Sequence, residues 1–307
     1  MTLQNLNTHI SLNSKDISAE FKRLFHGRGG LYDGFKHLTI DSIDTVLSVA
    51  LYDEDPNEGE LLDLLKAFIK RTRHETLILQ RRYKKNFPTE VIVGELSDEI
   101  FALENGMKFR LNLLSNRNSG YFADMKIGRE FVRENAKGKS VLNLFSYTCA
   151  FSVAALFGSA KSVSNIDMSK ASLSIGRSNH HINDLNTKGV NFAPYNILKS
   201  FSRIKKKGPY DLIIIDPPSF QRGSFEATKD YRKIIAKLPE ISSDNCILLA
   251  CLNSPELDSS FLKELICELA PEFEFKERLP NLKEFESLDE ERSLKNLVFK
   301  KNKVEKY

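Results

Sequence analysis

Several common features are missing from this sequence of 307 residues, and each absence excludes a class of protein. It has no tryptophan and only four cysteines, without CxxC or metal-ligand spacing: Cys149, Cys246, Cys251 and Cys267. Three of them lie in apolar runs, so we expect reduced, mostly buried thiols and no metal site. No apolar stretch has transmembrane length and no basic-then-apolar leader is present, which predicts a cytoplasmic protein without membrane contact.

Two nucleotide-binding signatures are also absent. "VLNLFSYTCAFSVAA", residues 141–155, predicts a strand, a loop and a helix N-terminus, where a nucleotide-like ligand usually binds. The loop contains no glycine, whereas a dinucleotide-binding loop needs GxGxxG for close approach to the pyrophosphate. The chain also lacks a P-loop lysine motif. Nicotinamide, flavin and nucleoside-triphosphate chemistry are therefore disfavoured.

The hydrophobic pattern changes along the chain. Up to about residue 115, "TVLSVALY", "ETLILQRRY" and "EVIVGEL" predict strands, "NEGELLDLLKAFIKRTRH" predicts a helix, and Asn105-Gly106 predicts a hairpin turn. We expect a small α+β domain over residues 1–115. Beyond it, apolar strands alternate with helices, which predicts a doubly wound, mostly parallel α/β sheet over residues 116–307.

The stretch "DLIIIDPPSFQ", residues 211–221, is the clearest candidate site. Its four consecutive apolar residues predict a strand buried on both faces, and Pro217 and Pro218 end it. Asp216 and Phe220 are then expected at the carboxyl edge of the sheet, where open α/β sheets bind ligands.

A second acid, Asp167, ends the strand "SVSNID", about twenty residues after the loop. An acid there can accept hydrogen bonds from both ribose hydroxyls of an adenosine group. It can equally cap the helix that "DMSKAS" opens. The loop upstream and DPPSF downstream favour ligand binding.

These motifs together resemble class I S-adenosylmethionine-dependent methyltransferases. More narrowly, the chain resembles the large-subunit ribosomal RNA methyltransferases that modify cytosine C5 or guanine. "LFHGRGG", "LENGMKF", "NSGYFADMKIGREFV", "VLNLFSYT", "IDMSK" and "YDLIIIDPPSF" occur in the family's order over roughly residues 20–255. The resemblance implies a Rossmann-like catalytic domain with S-adenosylmethionine as cofactor.

The resemblance also implies roles for individual residues. The methionine part of the cofactor would contact Phe145, Ser146, Tyr147 and Thr148. Asp167 would hold the ribose, with Met168 and Asn196 at the adenine and Asp216 beside the cofactor. Tyr121, Phe122 and Asp124 would cover the cofactor, with Arg129 nearby; alternatively, Tyr121 and Phe122 only pin a linker to the core. Where relatives have glycines, this chain has Cys149-Ala150, and a Cβ at Cys149 disfavours positive φ and close backbone approach.

In this enzyme class the Asp-Pro-Pro-aromatic motif clamps a flipped-out base. Asp216 and the Pro217 carbonyl would accept hydrogens of an exocyclic amino group, and Phe220 would stack on the base. Methylation of cytosine C5 would instead need a cysteine thiolate. In family members of that type this cysteine follows the strand after DPP, where the chain has Asn253, and Cys251 is expected in the core. Guanine N2 or N7 is therefore favoured over cytosine C5. Methylation of a protein or a small molecule stays an alternative, and so does a non-catalytic RNA-binding relative, for which the glycine-free loop is the argument.

Basic residues indicate RNA as the partner, although the formal charge of +4 and the pI of about 8.7 are only a weak sign of one. The expected contacts are Arg28, Arg71, Arg73, Arg81, Arg82, Tyr83, Lys84, Lys85 and Arg222. A charge run is more often a solvated face, so this alternative stays open. His180 and His181 have no partners at metal spacing and are expected at the surface. No oligomeric state follows from the sequence.

Overall fold

The computed structural model describes residues 1–15, 18–114, 118–218, 220–221 and 225–302, with only the backbone at 220, 221 and 225. The chain forms two compact units. The first comprises Met1–Asp124 and Leu282–Asp289, and the second comprises Met125–Asn281 and Glu290–Tyr307. The sequence contains no signal for the return of Leu282–Asp289 to the first unit. The division of RNA recognition and catalysis between residues 1–115 and 116–307 stays a prediction.

The first unit is an α+β structure built on a five-stranded sheet with the order β1-β2-β3-β4-β5. Only β3 and β4 are parallel, and the other neighbouring strands are antiparallel. Hairpin β6–β7 turns at Asn105-Gly106 as predicted, with both residues at positive φ. In chain order the elements are α1 (Leu3–Asn13), β1 (Lys22–His26), β2 (Leu38–Ile43), β3 (Val46–Leu51), α2 (Glu58–Ile69), β4 (Thr76–Arg81), β5 (Thr89–Val93), β6 (Ile100–Glu104) and β7 (Met107–Leu111).

Apolar side chains of both helices and the sheet form the core of the first unit. Leu6 and Ile10 of α1 are fully buried with Leu61, Leu65 and Phe68 of α2. Their helical spacing places each set on one face, and each fully buried side chain of this size contributes about 1.5–3 kcal/mol. Acids in the first turn of α2 and a lysine in its last turn complement the helix dipole.

The second unit is a doubly wound sheet with the order β10-β9-β8-β11-β14-β16-β15. The first five strands in this order are parallel, and β16 runs antiparallel to both neighbours, which confirms the predicted fold class. In chain order the elements are α3 (Lys126–Asn135), β8 (Ser140–Leu144), α4 (Ala150–Phe157), β9 (Ser162–Ile166), α5 (Lys170–His181), β10 (Val190–Ala193), α6 (Phe201–Lys205), β11 (Tyr210–Ile215), β12 (Phe220–Gln221), β13 (Phe225–Glu226), α7 (Ala227–Ile235), α8 (Leu238–Ile241), β14 (Ser242–Leu252), α9 (Ser259–Leu269), β15 (Phe273–Leu279) and β16 (Lys295–Lys301).

The stretch between β15 and β16, Leu282–Asp289, packs within the first unit. The Phe285 ring centroid lies 4.6 Å from Arg23 Cζ and 5.2 Å from the His26 ring. A Cβ at Gly29 would lie 1.8 Å from the Glu286 carbonyl oxygen, so the two backbones are in close contact. These contacts make the returning stretch an integral part of the first unit.

Candidate active site

The candidate site lies at the carboxyl edge of the second unit's sheet. Leu144 of β8 stands opposite Ile166 of β9 on one side and Ile215 of β11 on the other. The residues that follow these three strands therefore leave the sheet at one edge. Because β9 and β10 lie on one side of β8 and β11 and β14 on the other, this is the switch point where α/β sheets bind ligands.

The loop from Phe145 to Cys149 has an unusual backbone. Phe145, Tyr147 and Cys149 have φ of 58°, 46° and 62°, a left-handed conformation that non-glycine residues rarely adopt. Backbone hydrogen bonds hold it: the Ser146 N–H donates to the Ile166 carbonyl at 3.1 Å, and the Cys149 N–H donates to the Ser146 carbonyl at 2.7 Å. Strain of this kind costs about 1–3 kcal/mol per residue and is concentrated at functional sites.

Cys149 departs from the expectation that its Cβ would disfavour positive φ. It adopts φ 62°, and its side chain is fully buried. Burial raises the pKa of its thiol to about 12. Gly176 of α5 explains how the side chain fits, because a Cβ at Gly176 would lie only 2.5 Å from Cys149 Sγ. The loop has no glycine, but Gly176 on the neighbouring helix leaves the space that the Cys149 side chain occupies.

Asp167 accepts two backbone hydrogen bonds at the end of β9. The Tyr147 N–H donates to Oδ2 and the Ser169 N–H donates to Oδ1, each at 2.8 Å. The N-cap of α5 is Ser169, whose side chain accepts from the Ser172 N–H at 3.1 Å, so the alternative capping role for Asp167 is wrong. A carboxylate oxygen has two lone pairs, and Asp167 can therefore accept further bonds from a ligand.

Met168 and Asn196 lie side by side beyond β9 and β10. The Asn196 Nδ2 atom is 3.6 Å from Met168 Sδ, and the Met168 side chain is 48% exposed. The Asn196 Oδ1 atom accepts from the Lys199 N–H at 3.2 Å, which orients the amide. The structure thus brings together the two residues that the family resemblance places at an adenine ring.

Asp216, Pro217 and Pro218 follow β11 directly, as predicted. The preceding strand is buried on both faces, with Leu212–Ile215 inaccessible to solvent. Asp216 is partly buried, Pro217 is buried and Pro218 is exposed. The side chain of Phe220 and all of Arg222 lie outside the described part of the chain.

Tyr231 of α7 is a further residue at this edge that the sequence analysis does not identify. Its buried hydroxyl lies 3.2 Å from the Ile215 carbonyl oxygen and also contacts that of Cys251, so one proton is shared between the ends of β11 and β14. Burial, followed by the nearby Cys251 and Asp216, holds the pKa of Tyr231 well above its usual value, so the hydroxyl remains a donor. Its spacing from Ile234 on the buried face of α7 is the signal that could have identified it.

The comparison with known families agrees with this geometry. A model described as S-adenosylmethionine-dependent methyltransferase matches residues 22–300. The chain belongs to this methyltransferase family.

Individual relatives are similar over large parts of this methyltransferase. "Ribosomal RNA large subunit methyltransferase K/L" of Shewanella sp. (strain MR-4) is 35% identical over 194 residues, 61% of this chain and 27% of the relative. "Ribosomal RNA large subunit methyltransferase I" of Aeromonas salmonicida (strain A449) is 29% identical over 250 residues, 78% of this chain and 63% of the relative. Each match thus covers less than two thirds of the relative's own length. The crystal structure of SMU.776 complexed with SAH has a TM-score of 0.86 and 26% identity, over 98% of this chain and 82% of that chain.

A chain of buried polar groups lies beneath the site of the methyltransferase. The Asn143 amide donates to Asn165, the Asn165 amide to Ser152 Oγ, and the Ser152 hydroxyl to His180 Nε2, each at 2.9 Å. The His180 Nδ1–H donates to the Gly176 carbonyl at 2.7 Å. His180 is therefore fully buried, and its expected surface position is wrong, whereas His181 is exposed. Burial lowers the pKa of His180, which keeps it neutral and able to accept from Ser152.

Tyr121, Phe122 and Asp124 belong to the first unit of the methyltransferase. The Tyr121 ring is buried between Phe21 and Phe109, at 5.3 Å from each ring, and its hydroxyl donates to Glu104. Phe122 is 40% exposed. The packing of Tyr121 agrees with the alternative that it pins the linker, and the role of the three residues in covering a cofactor stays a prediction. Arg129 of α3, in the second unit, is buried.

Several of the predicted RNA contacts are occupied by partners inside the first unit. Arg81 forms ion pairs with Glu58 and Glu90, and the hydrogen bonds to Glu58 raise the pKa of the guanidinium. Arg73 pairs with Asp44, and Arg71 donates to Asn7 and Ser11. Lys84 and Lys85 are exposed beside Tyr83 in the turn between β4 and β5, and Arg28 and Arg82 both lie over the Tyr52 ring.

Two further chemical possibilities concern cysteine and metals. Cys251 is fully buried within β14, opposite Asn296 of β16, in an apolar cluster with Leu249 and Val298. Over the described stretches, no group of three or more His, Cys, Asp or Glu could hold a metal ion. No helix among the described residues is long and apolar enough to cross a membrane.

Proposed function

We propose that the chain transfers a methyl group from S-adenosylmethionine to a base of large-subunit ribosomal RNA, with guanine N2 or N7 favoured. The main support is the position of three features at one edge of the sheet. The strained loop follows β8, Asp167 follows β9 and Asp216 follows β11, and these three strands are neighbours. The names of the relatives support ribosomal RNA as the substrate.

The polar groups at this edge fit S-adenosylmethionine. Asp167 keeps lone pairs for two ribose hydroxyls while backbone N–H groups fix its orientation. Met168 and Asn196 offer an exposed thioether and an amide for the adenine. Ser146 Oγ is buried beside the Cys149 thiol without another polar partner among the described residues, in the loop assigned to the methionine part. Bound S-adenosylmethionine supplies an electrophilic methyl group on sulfur.

Catalysis by the chain's own residues then consists of positioning and hydrogen-bond acceptance. An exocyclic amino nitrogen is a poor nucleophile because its lone pair is delocalised into the base. The Asp216 carboxylate and the Pro217 carbonyl would accept its hydrogens, which directs the lone pair toward the methyl group. Holding both reactants at one edge converts an encounter in solution into an intramolecular step. For guanine N7, whose lone pair lies in the ring plane, only the positioning is needed.

The position of Cys251 favours guanine over cytosine C5. Attack on cytosine C6 needs an accessible thiolate. Cys251 is fully buried within β14, and the exposed residue beyond the strand is Asn253. A glycine-free loop would be the argument for a non-catalytic RNA-binding relative, but this loop has its left-handed backbone without glycine, which supports a catalytic role.

The direct test is transfer of labelled methyl groups to deproteinised ribosomal RNA from a strain that lacks this gene. Parallel arms with RNase and protease identify the substrate class, and nucleoside analysis identifies the base. We expect labelled guanosine that RNase removes. Label in cytosine C5 would refute the choice of base, and RNase-resistant, protease-sensitive label would replace RNA with a protein substrate.

Two variants test the role of Asp216: one changes Asp216 itself, just after β11, and the other changes Asp211 within β11. Asp216→Ala is expected to lower transfer at least about 100-fold while cofactor affinity, measured by calorimetry, stays within a few-fold. Asp211→Asn is the matched control, because Asp211 lies at the opposite end of β11, where it accepts from the Ser140 N–H at 2.9 Å. Equal losses of transfer and cofactor affinity in Asp216→Ala would contradict the assigned role.

A further inference from the structure

Two arginines from different connecting segments converge on one tyrosine ring in the first unit. Arg28 Cζ lies 4.3 Å and Arg82 Cζ 4.9 Å from the centroid of the Tyr52 ring. We call Arg28, Tyr52 and Arg82 the Tyr52 patch. Arginine over an aromatic face is attracted by the ring quadrupole, which orients the planar guanidinium.

The fold explains why these residues meet. Tyr52 follows β3 and Arg82 follows β4, and these strands are parallel, with Leu51 opposite Arg81. Both residues therefore leave the sheet at the same edge. Arg28 lies in a turn after β1, which ends at that edge because β1–β2 and β2–β3 are antiparallel.

The turn that carries Arg28 is held tightly. A Cβ at Gly27 would lie 1.8 Å from the Phe35 carbonyl oxygen and 2.7 Å from that of Leu38. Only glycine permits this approach, so the position of Arg28 is set by the backbone.

Among the described residues, neither guanidinium group forms an ion pair; the carboxylate of Asp41 interacts electrostatically with Arg82 but is itself paired with Arg23. Throughout the described residues, neither Arg28 nor Arg82 has a carboxylate oxygen within 4.0 Å, whereas Arg73 and Arg81 both do. The polar partners of Arg82 are neutral: Tyr52 Oη at 3.0 Å and Asn118 Oδ1 at 3.3 Å.

The charges of Arg23 and Arg28 also affect His26, which precedes the same turn. Burial, followed by Arg23 and Arg28, lowers its pKa to about 3, so it adds no charge of its own at neutral pH. Asp53 and Glu54 follow Tyr52 and are exposed, but neither forms an ion pair with the patch. Two cations held on one ring repel each other, and an anion bound from outside reduces this repulsion.

We propose that the Tyr52 patch binds phosphates of the RNA backbone, with Arg28 and Arg82 each contacting one phosphate. This inference rests on the proposed function and narrows the predicted basic surface to two arginines that form no ion pair with any described residue. A guanidinium matches a phosphate through parallel N–H donors, and the tyrosine ring orients both groups before binding. Exposed Lys84 and Lys85, in the turn after Arg82, extend the surface for a polyanion.

The salt dependence of RNA binding by the full chain tests this proposal. The probes are a fluorescein-labelled single-stranded oligouridylate and a polyglutamate of equal charge, each titrated by anisotropy between 50 and 200 mM salt. Two lost phosphate contacts should reduce the slope of log K against log salt by about 1.4, at about 0.7 per contact. We expect this reduction in the double variant Arg28→Gln with Arg82→Gln.

Matched variants separate charge from structure. Arg73→Gln removes an arginine that is already paired with Asp44, so its slope should equal that of the wild type. Arg28→Lys with Arg82→Lys keeps both charges and should restore most of the slope. Asp53→Asn should strengthen binding at low salt, because it removes a nearby negative charge.

The outcomes of this experiment test the Tyr52 patch independently of the methyl-transfer activity. An unchanged slope in the double glutamine variant, or an equal loss for Arg73→Gln, would overturn the proposal, as would wild-type protein that binds no oligouridylate. Equal loss of polyglutamate binding would make an acidic protein the partner instead. RNA binding with the expected slope change but no methyl transfer would leave the patch standing and refute the proposed function.

Discussion

The contact between Cys149 and Gly176 gives a quantitative prediction. Gly176→Ala places a Cβ 2.5 Å from Cys149 Sγ and 3.0 Å from its Cβ, far inside normal contact. Overpacking of this kind costs about 1–3 kcal/mol, and the contact is severe enough for the upper half of that range. Alanine is favoured over glycine in a helix by about 1 kcal/mol, so the net loss of stability should be about 1–2 kcal/mol.

The same substitution should have the opposite sign when the thiol is absent. In a Cys149→Gly background the two closest atoms are gone, and Gly176→Ala should stabilise the protein by about 1 kcal/mol through helix propensity alone. The coupling energy between the two sites is then about 2–3 kcal/mol, typical of residues in direct contact.

Urea unfolding of the four proteins measures this cycle, provided that all of them share one m-value. Gly59→Ala is the control, because a Cβ at Gly59 in α2 meets nothing within 4 Å and its effect should be the same in both backgrounds. Equal effects of Gly176→Ala with and without Cys149 would refute the idea that this glycine accommodates the thiol.

Three other predictions concern single features. Tyr231→Phe removes a donor shared by two buried carbonyls, and the free energy of unfolding in urea should fall by about 1–3 kcal/mol. We expect kcat to fall more than cofactor affinity. Unchanged stability would contradict the shared hydrogen bond. Burial, followed by Arg73, lowers the pKa of His74 to about 4, whereas the unfolded chain has the usual value of about 6.5. Neutral His74 therefore stabilises the fold fully above pH 6.5, and the free energy of unfolding falls by up to about 1.4 kcal/mol per pH unit as the pH drops toward 4. Between pH 7 and 5 the free energy of unfolding should decrease by this slope in the wild type but not in His74→Gln. An excised fragment of residues 1–124 lacks Leu282–Asp289 and should show lower amide protection and a lower melting temperature than the same unit in the full chain.

Much of the second unit was predictable because its signals are local. Alternating buried strands and helices, and two prolines after β11, need no knowledge of distant residues. The conformation of Cys149 was not predictable, because it depends on Gly176, which lies on another element. The burial of His180 escaped prediction for a similar reason, since Ser152 and the Gly176 carbonyl satisfy both of its nitrogens.

The first unit was harder to predict. β1 and β2 have no clear alternation of buried and exposed residues, and they become strands through pairing with each other and with β3. The basic run around β4 looked uniform in the sequence. Only the tertiary structure separates Arg81, which is held by two glutamates, from Arg82, which lies over Tyr52.

The return of Leu282–Asp289 has a consequence for synthesis of the protein. A ribosome that has added Asp124 must still add 161 residues, from 125 to 285, before Phe285 can pack against Arg23 and His26. At 5–20 residues per second this takes roughly 8–32 s, far longer than a helix or hairpin needs to form. During that interval the nascent first unit exposes the surface that Phe285 later covers. Its final folding step therefore waits until Phe285 has been synthesised.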